Sequence, residues 1–154
     1  MQIALPRSAI AFDPSRDVMR GDGLREVAPD LAALSLRGDP PRLMQILLNL
    51  GGNAVKFTAT GQVTVRARVI DETQDTVCLR YEIEDTGIGI APEDLPRIFE
   101  KGYTGCNGRA DKRSTGIGLY LCRQIMEKLS HTIRIESEMG AGTKVYLGLD
   151  TVSL

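Results

Sequence analysis

The segment Asp85-Thr86-Gly87-Ile88-Gly89-Ile90, DTGIGI, closes a run in which apolar and polar residues alternate. Val77, Leu79, Tyr81 and Ile83 face one way, Cys78, Arg80, Glu82 and Glu84 the other. Period-two alternation over that length predicts a β-strand with one buried face. The strand ends in a carboxylate and then in Gly-x-Gly, a loop with few side chains. Two readings are open on these residues alone. One is a tight turn carrying a solvated Asp; the other is an acid held beside backbone that a ligand can approach closely.

Outward from this point the chain reads clearly on both sides. Asp39-Pro40-Pro41 is a helix start, an N-cap acid followed by prolines in the first turn. Leu43, Ile46, Leu47, Leu50, Ala54 and Phe57 then fall at helical steps, and Gly61 ends the pattern. Val63, Val65, Ala67 and Val69 alternate with Thr64, Arg66 and Arg68, and the turn-like DETQD joins this strand to the one ending at Asp85 as an antiparallel pair. Downstream, APEDLPRIFE (residues 91–100) predicts a short helix. A second clear helix begins near Ile117, with Ile117, Leu121, Ile125 and Leu129 on one face. Thr132–Glu138 and Thr143–Leu149 alternate again around the turn MGAG. Before residue 39 the pattern is weaker: a helix over residues 8–20, with Pro14 inside it, and short strands at Leu24–Val27 and Leu34–Leu36. About three helices and at least four strands, with the last strands adjoining directly, predict an α+β fold. It is a two-layer sandwich with a mixed, mostly antiparallel sheet covered on one face by helices.

Bulk composition bounds the partners. The 154 residues fit a single domain with a real core, and a net charge of -1 with 25% charged residues provides no basic surface for nucleic acid. Cys78, Cys106 and Cys122 have no metal-type spacing and leave one out of any disulfide pairing, which fits a reduced compartment. With no signal peptide and no apolar run near 18 residues, the expectation is a soluble, cytoplasmic chain without membrane contact of its own.

Opposite the apolar stripe of the first helix, Arg42, Gln45, Asn49, Asn53 and Lys56 recur at helical steps. A solvated face would normally carry Glu and Lys, whereas Asn competes for the backbone and Gly51-Gly52 costs up to ~1 kcal/mol per residue against Ala. A solvated stripe and a ligand-facing one both remain open. In the second case the Asn53 amide oxygen suits Mg²⁺, which keeps phosphate and water oxygens for itself, and Lys56 meets a phosphate. Gly116-x-Gly118 opens the second helix, where free N–H groups favour an anion. The polar loop before it, residues 100–115, carries Lys101, Arg109, Lys112 and Arg113. Gly140, Gly142 and Thr143 fit a hairpin turn as well as a place at a ligand.

Taken in order, these segments resemble the ATP-binding catalytic domain of bacterial sensor histidine kinases, within the gyrase, chaperone, histidine kinase and mismatch-repair ATPase superfamily. LMQILLNLGGNAVKFT is similar to its N box, DTGIGI to its first glycine box, LPRIFEKGY to its F box, STGIGLYL to its second glycine box and GAGTKVYL to the box that closes the domain. Together they span about residues 39–150 of a single domain over 1–154. Residues 39–98 look more like hybrid sensor kinases and residues 100–124 like lids of antibiotic-sensing Gram-positive kinases; a recombined or engineered chain, joined near Phe99, would explain both.

The resemblance implies a Bergerat-type fold that binds ATP with Mg²⁺. It implies that Asp85 accepts from the adenine amino group, that Asn53 ligands the metal, that Lys56 faces the phosphates and that Phe57 lies near the base. Asn53 and Lys56 are then the catalytic pair. Asn49, Gly87, Gly89, Ile90, Lys101, Tyr103, Lys112, Arg113, Thr115, Gly116, Gly118, Leu119 and Thr143 complete the implied nucleotide-binding set, with residues 100–115 as a lid. The expected partner is a histidine-bearing dimerisation domain, with a response regulator beyond it, and the expected state of the isolated chain is a monomer. No phosphoacceptor segment is present, and the single histidine, His131, sits between a helix end and a strand. Two other functions stand beside the kinase half. One is a self-sufficient gyrase- or chaperone-type ATPase, whose glutamate base is replaced here by Asn49. The other is a regulatory module such as an anti-sigma-factor-like kinase or a pseudokinase.

Overall fold

A computed structural model of the chain describes residues 2–4, 35–105 and 115–153. The helix expected over 8–20, the strand at Leu24–Val27, and the cations Arg109, Lys112 and Arg113 lie outside the described residues. Strand β1 (Gln2–Ala4) pairs antiparallel with β2 (Ser35–Arg37), close to the strand expected at 34–36. Helix α1 runs Pro40–Lys56, started as expected: the Asp39 carboxylate accepts the Arg42 N–H at 3.1 Å, and prolines occupy the first turn.

Strands β3 (Val63–Glu72), β4 (Thr76–Asp85), β5 (Thr132–Glu138) and β6 (Gly142–Ser153) form one sheet in the order β3-β4-β6-β5. Every pairing in it is antiparallel, in keeping with the mostly antiparallel sheet expected. Helix α2 (Gly118–Lys128) follows β4 in the chain and leads into β5. Both helices pack on the same face of the sheet. Ile46, Leu47, Leu50 and Ala54 of α1 meet Cys122, Ile125 and Met126 of α2 over Val77, Leu79, Tyr81, Ile83, Val145, Leu147 and Leu149. No helix among the described residues is long and apolar enough to cross a membrane.

The third expected helix is absent as such. Residues 91–100 form only a short 3-10 turn, Leu95–Arg97, in which Asp94 N–H reaches Ala91 O and Arg97 N–H reaches Asp94 O. Pro92 and Pro96 explain this, since proline has no N–H to carry an α-helical ladder forward. The described residues thus hold two α-helices rather than about three.

The core is concentrated on the inward positions of β4, so truncation there should be costly. Ile83, 2% exposed, should lose about 2–5 kcal/mol of stability on mutation to Ala. Ile70→Ala, at a site 51% exposed on β3, should change stability by less than about 0.5 kcal/mol. Urea unfolding of the two variants checks the contrast.

Candidate functional site

The alternation that buries Val77, Leu79, Tyr81 and Ile83 continues for one more step, and that step is Asp85. Its carboxylate therefore points to the covered face of the sheet, and the residue is only 9% exposed. A buried charge must be compensated. Asp85 Oδ1 accepts the Gly87 N–H at 2.9 Å, and the backbone N–H of its cross-strand partner Thr143 also donates to the carboxylate. Burial pushes the Asp85 pKa above its ordinary value, the two backbone donors and the nearby Thr58 hydroxyl pull it back, and Glu84 next door pushes it up slightly. The Thr58 hydroxyl is itself buried without a hydrogen bond of ordinary geometry, so it acts on Asp85 through proximity.

Glycine makes this packing possible at two points. A Cβ on Gly89 (φ +75°) would stand 2.1 Å from the Glu138 carbonyl oxygen, and one on Gly142 (φ +118°) would stand 2.0 Å from that of Asp85. The turn between β5 and β6 is a hairpin and also a support for the DTGIGI loop. Gly140 N–H donates to Ile88 O at 2.8 Å, Ile90 N–H to Ser137 Oγ at 2.8 Å, and Ile88 N–H to Phe57 O at 3.1 Å. The loop after Asp85 is thereby pinned to the end of α1 on one side and to the hairpin on the other.

Behind Asp85 lies a cavity between the helices and the sheet. Of the residues expected at a ligand, Asn53, Phe57, Asp85, Gly89, Ile90, Tyr103, Leu119 and Thr143 line it together. The sequence reading missed the rest of the wall: Leu50, Ala54 and Ile98 from the helical side, Ile135 and Val145 from the sheet, and Asp94, Thr104 and Gly105. The core residues among them were visible as inward positions, but nothing in the pattern says which end of the core opens.

The remaining expected residues sit around this cavity rather than on its wall. Gly87 holds Asp85 from behind. Lys56 is exposed at the end of α1, with its ammonium 5.2 Å from the Phe57 ring centre, and Lys101 lies 6.0 Å from that of Tyr120. Thr115 is exposed, while Gly116 O accepts from Gly102 N–H at 3.0 Å. Gly118 lies beside Asn49, whose amide would be 4.0 Å from a Cβ there. Asn49 also reaches Cys122, whose thiol burial pushes up to about 11 while the Asn49 contact pulls it down. Asn49 thus joins α1 to α2. The stripe that includes it is half-buried at Gln45, Asn49 and Asn53, and Met44 and Leu48 take the exposed face. His131 donates its backbone N–H to Met126 O at 2.8 Å, closing α2, and does not line the cavity.

The raised pKa has a sign that can be measured. The folded protein keeps the Asp85 proton to higher pH than the unfolded chain, so ionisation of Asp85 costs stability. That cost appears as pH rises through a window beginning at the ordinary value of 3.8. Asp85→Asn has no such titration. Its stability relative to the unmodified domain should therefore grow across the window and level off above it, in denaturant unfolding at matched pH. A difference independent of pH would contradict the buried, ionisable Asp85.

Comparison with known proteins agrees with this architecture. The profile of the family described as histidine kinase-, DNA gyrase B-, and HSP90-like ATPase matches residues 38–153. The sensor histidine kinase GacS of Pseudomonas protegens is 38% identical over 118 residues, which are 76% of this chain and 13% of that protein. The sensor histidine kinase YxdK of Bacillus subtilis is 43% identical over 93 residues, 60% of this chain and 28% of that one. The crystal structure of full-length ShkA in complex with AMPPNP superposes with a TM-score of 0.64 at 32% identity, covering 77% of this chain and 23% of ShkA. The chain thus spans only a small part of each of these three relatives. With the profile match running through all of α1 to β6, the chain belongs to the histidine kinase-, DNA gyrase B- and HSP90-like ATPase family, among the ATP-binding catalytic domains of sensor histidine kinases.

Proposed function

We propose that the cavity binds ATP with Mg²⁺, and that the domain offers the γ-phosphate to a histidine on a separate dimerisation domain. The observation that carries this reading is the buried Asp85 carboxylate at the cavity wall. An ionised carboxylate has about four acceptor positions, and backbone donors occupy two of them. What remains is an acceptor in an otherwise largely apolar slot, suited to an exocyclic amino group on a flat base. Ile90, Leu119, Ile135 and Val145 give such a base apolar contact.

The residues present fit the metal. Asn53 lines the cavity with a neutral oxygen donor, and no group of three His, Cys, Asp or Glu able to hold an ion occurs among the described residues. One protein oxygen is the pattern of Mg²⁺ that arrives with phosphate rather than of an ion held in a protein cage. Bound there, the ion would offset phosphate charge as the γ-phosphoryl group is transferred. Lys56, one turn beyond Asn53 and exposed, supplies a positive charge at the same end of α1.

Among the described residues, none completes the transfer. His131 is held at the end of α2 away from the cavity, and Asn49, turned to Cys122, has no proton-accepting group to activate water. That argues for a kinase half over a self-sufficient ATPase. GacS and YxdK, named as sensor histidine kinases, are far longer than the stretch matched here, which fits a phosphoacceptor supplied from elsewhere.

Asn53→Ala should weaken Mg-ATP binding about tenfold, ~1.4 kcal/mol, with metal-free ADP binding nearly unchanged. The α1 helix should persist, since Ala is the better helix former, and circular dichroism checks this. The isolated domain should hydrolyse ATP hardly faster than buffer. Mixed with or fused to a cognate dimerisation domain, it should label that domain's histidine with γ-phosphate, and Asn53→Ala should abolish the label. Robust hydrolysis by the isolated domain, or labelling at His131, would refute the reading.

A further inference from the structure

Asp94 is the second buried carboxylate at the cavity, 6% exposed, and the sequence reading gave it no role. It stands at the N-cap of the 3-10 turn, yet its side chain makes no capping hydrogen bond there. Instead Asp94 Oδ1 accepts the Tyr103 hydroxyl at 2.5 Å, a length typical of a charge-assisted O–H···O⁻ bond. Its other oxygen lies on the side of Gly105 where a side chain would stand, 2.9 Å from the position of a Cβ there. Tyr103 is fixed from its ring face as well: the Arg97 guanidinium lies 4.3 Å from the ring centre and is itself bound to Glu100 by Nε at 3.2 Å and a terminal nitrogen at 3.0 Å. At Gly102 the segment is tied by its N–H to Gly116 O.

Asp94, Tyr103 and Gly105 line the same cavity as Asp85 and Asn53. Apolar side chains would hold two loops together at lower cost, because a carboxylate loses its hydration on burial. A carboxylate that accepts the Tyr103 hydroxyl does something packing alone does not: it ties one cavity wall in place through a directional bond. We infer that Asp94 is a positioning residue which, through the Tyr103 hydroxyl, holds the Tyr103–Gly105 segment against bound nucleotide and slows its release. This rests on the nucleotide reading of the site.

Stopped-flow release of a fluorescent ADP analogue tests it with Tyr103→Phe, Asp94→Asn and the double variant. Tyr103→Phe removes one O–H and keeps the ring under Arg97. It should speed release about fivefold, as expected for loss of a charge-assisted bond. Association rate and thermal midpoint should stay close to those of the unmodified domain. Asp94→Asn should act similarly, and the double variant should be no faster than the faster single. A merely structural role would lower the thermal midpoint without this coupling in release. Should Asp94→Asn fail to fold, Tyr103→Phe decides alone. Unchanged release in Tyr103→Phe, with the analogue binding normally, overturns the Asp94 role and leaves the nucleotide reading intact. No binding by the unmodified domain overturns both.

Discussion

The structure depends on a register constraint: the fifth inward position of β4 is occupied by an acid. Val77, Leu79, Tyr81 and Ile83 force the strand to present odd-numbered positions to the helices, and Asp85 is carried inward with them. A slip of one residue would turn Asp85 to solvent and drive Glu84 and Glu82 into the core. The outer face resists the same slip. Glu84 sits between Arg66 on β3 at 2.7 Å and Lys144 on β6 at 3.3 Å, and the Arg66 hydrogen bond is the main reason its pKa is lowered. Partly exposed pairs of this kind contribute little stability, about 0–1 kcal/mol each. They do tie three strands together at the level where Asp85 faces the other way.

Around that acid the polar groups are divided between holding the fold and lining the cavity. Backbone donors from Gly87 and Thr143 compensate the Asp85 charge, which is why the DTGIGI loop must fold back so tightly on the β5–β6 hairpin. Asn49 is spent on the contact between α1 and α2, and Asn53, one turn on, is left for the cavity. The two asparagines read alike in sequence, but α2 covers one and the cavity opens at the other. Asp94, also on the cavity wall, has Tyr103 as its donor.

Much of this was legible because alternation and helical spacing are strong signals where one face is buried. β3 to β6, α1 and α2 all follow from apolar periodicity, and the glycine pairs at 87/89, 116/118 and 140/142 mark the loops around the cavity. The 3-10 turn reads as a helix in sequence because the apolar spacing of Leu95, Ile98 and Phe99 looks helical, while two prolines break the ladder. The polar stripe of α1 reads in sequence as lying opposite the core; in the fold it is turned toward α2 and the cavity, so that Met44 and Leu48, 42% and 53% exposed, take the outer side. Asp94 carried no signal. A single acid in EDLP reads as a helix cap, and its partnership with a tyrosine nine residues on is a tertiary contact that no local pattern encodes.

The central claim is that Asp85 keeps one acceptor position for an amino group on the base. Calorimetric titration of the unmodified domain with ADP and with inosine diphosphate tests it most directly, because the two ligands differ at the group Asp85 would meet, an amino donor in one and a carbonyl in the other. Facing a buried carboxylate with a second acceptor costs at least ~1–3 kcal/mol, so ADP should bind about tenfold tighter or better. Equal affinity for the two nucleotides would contradict the account.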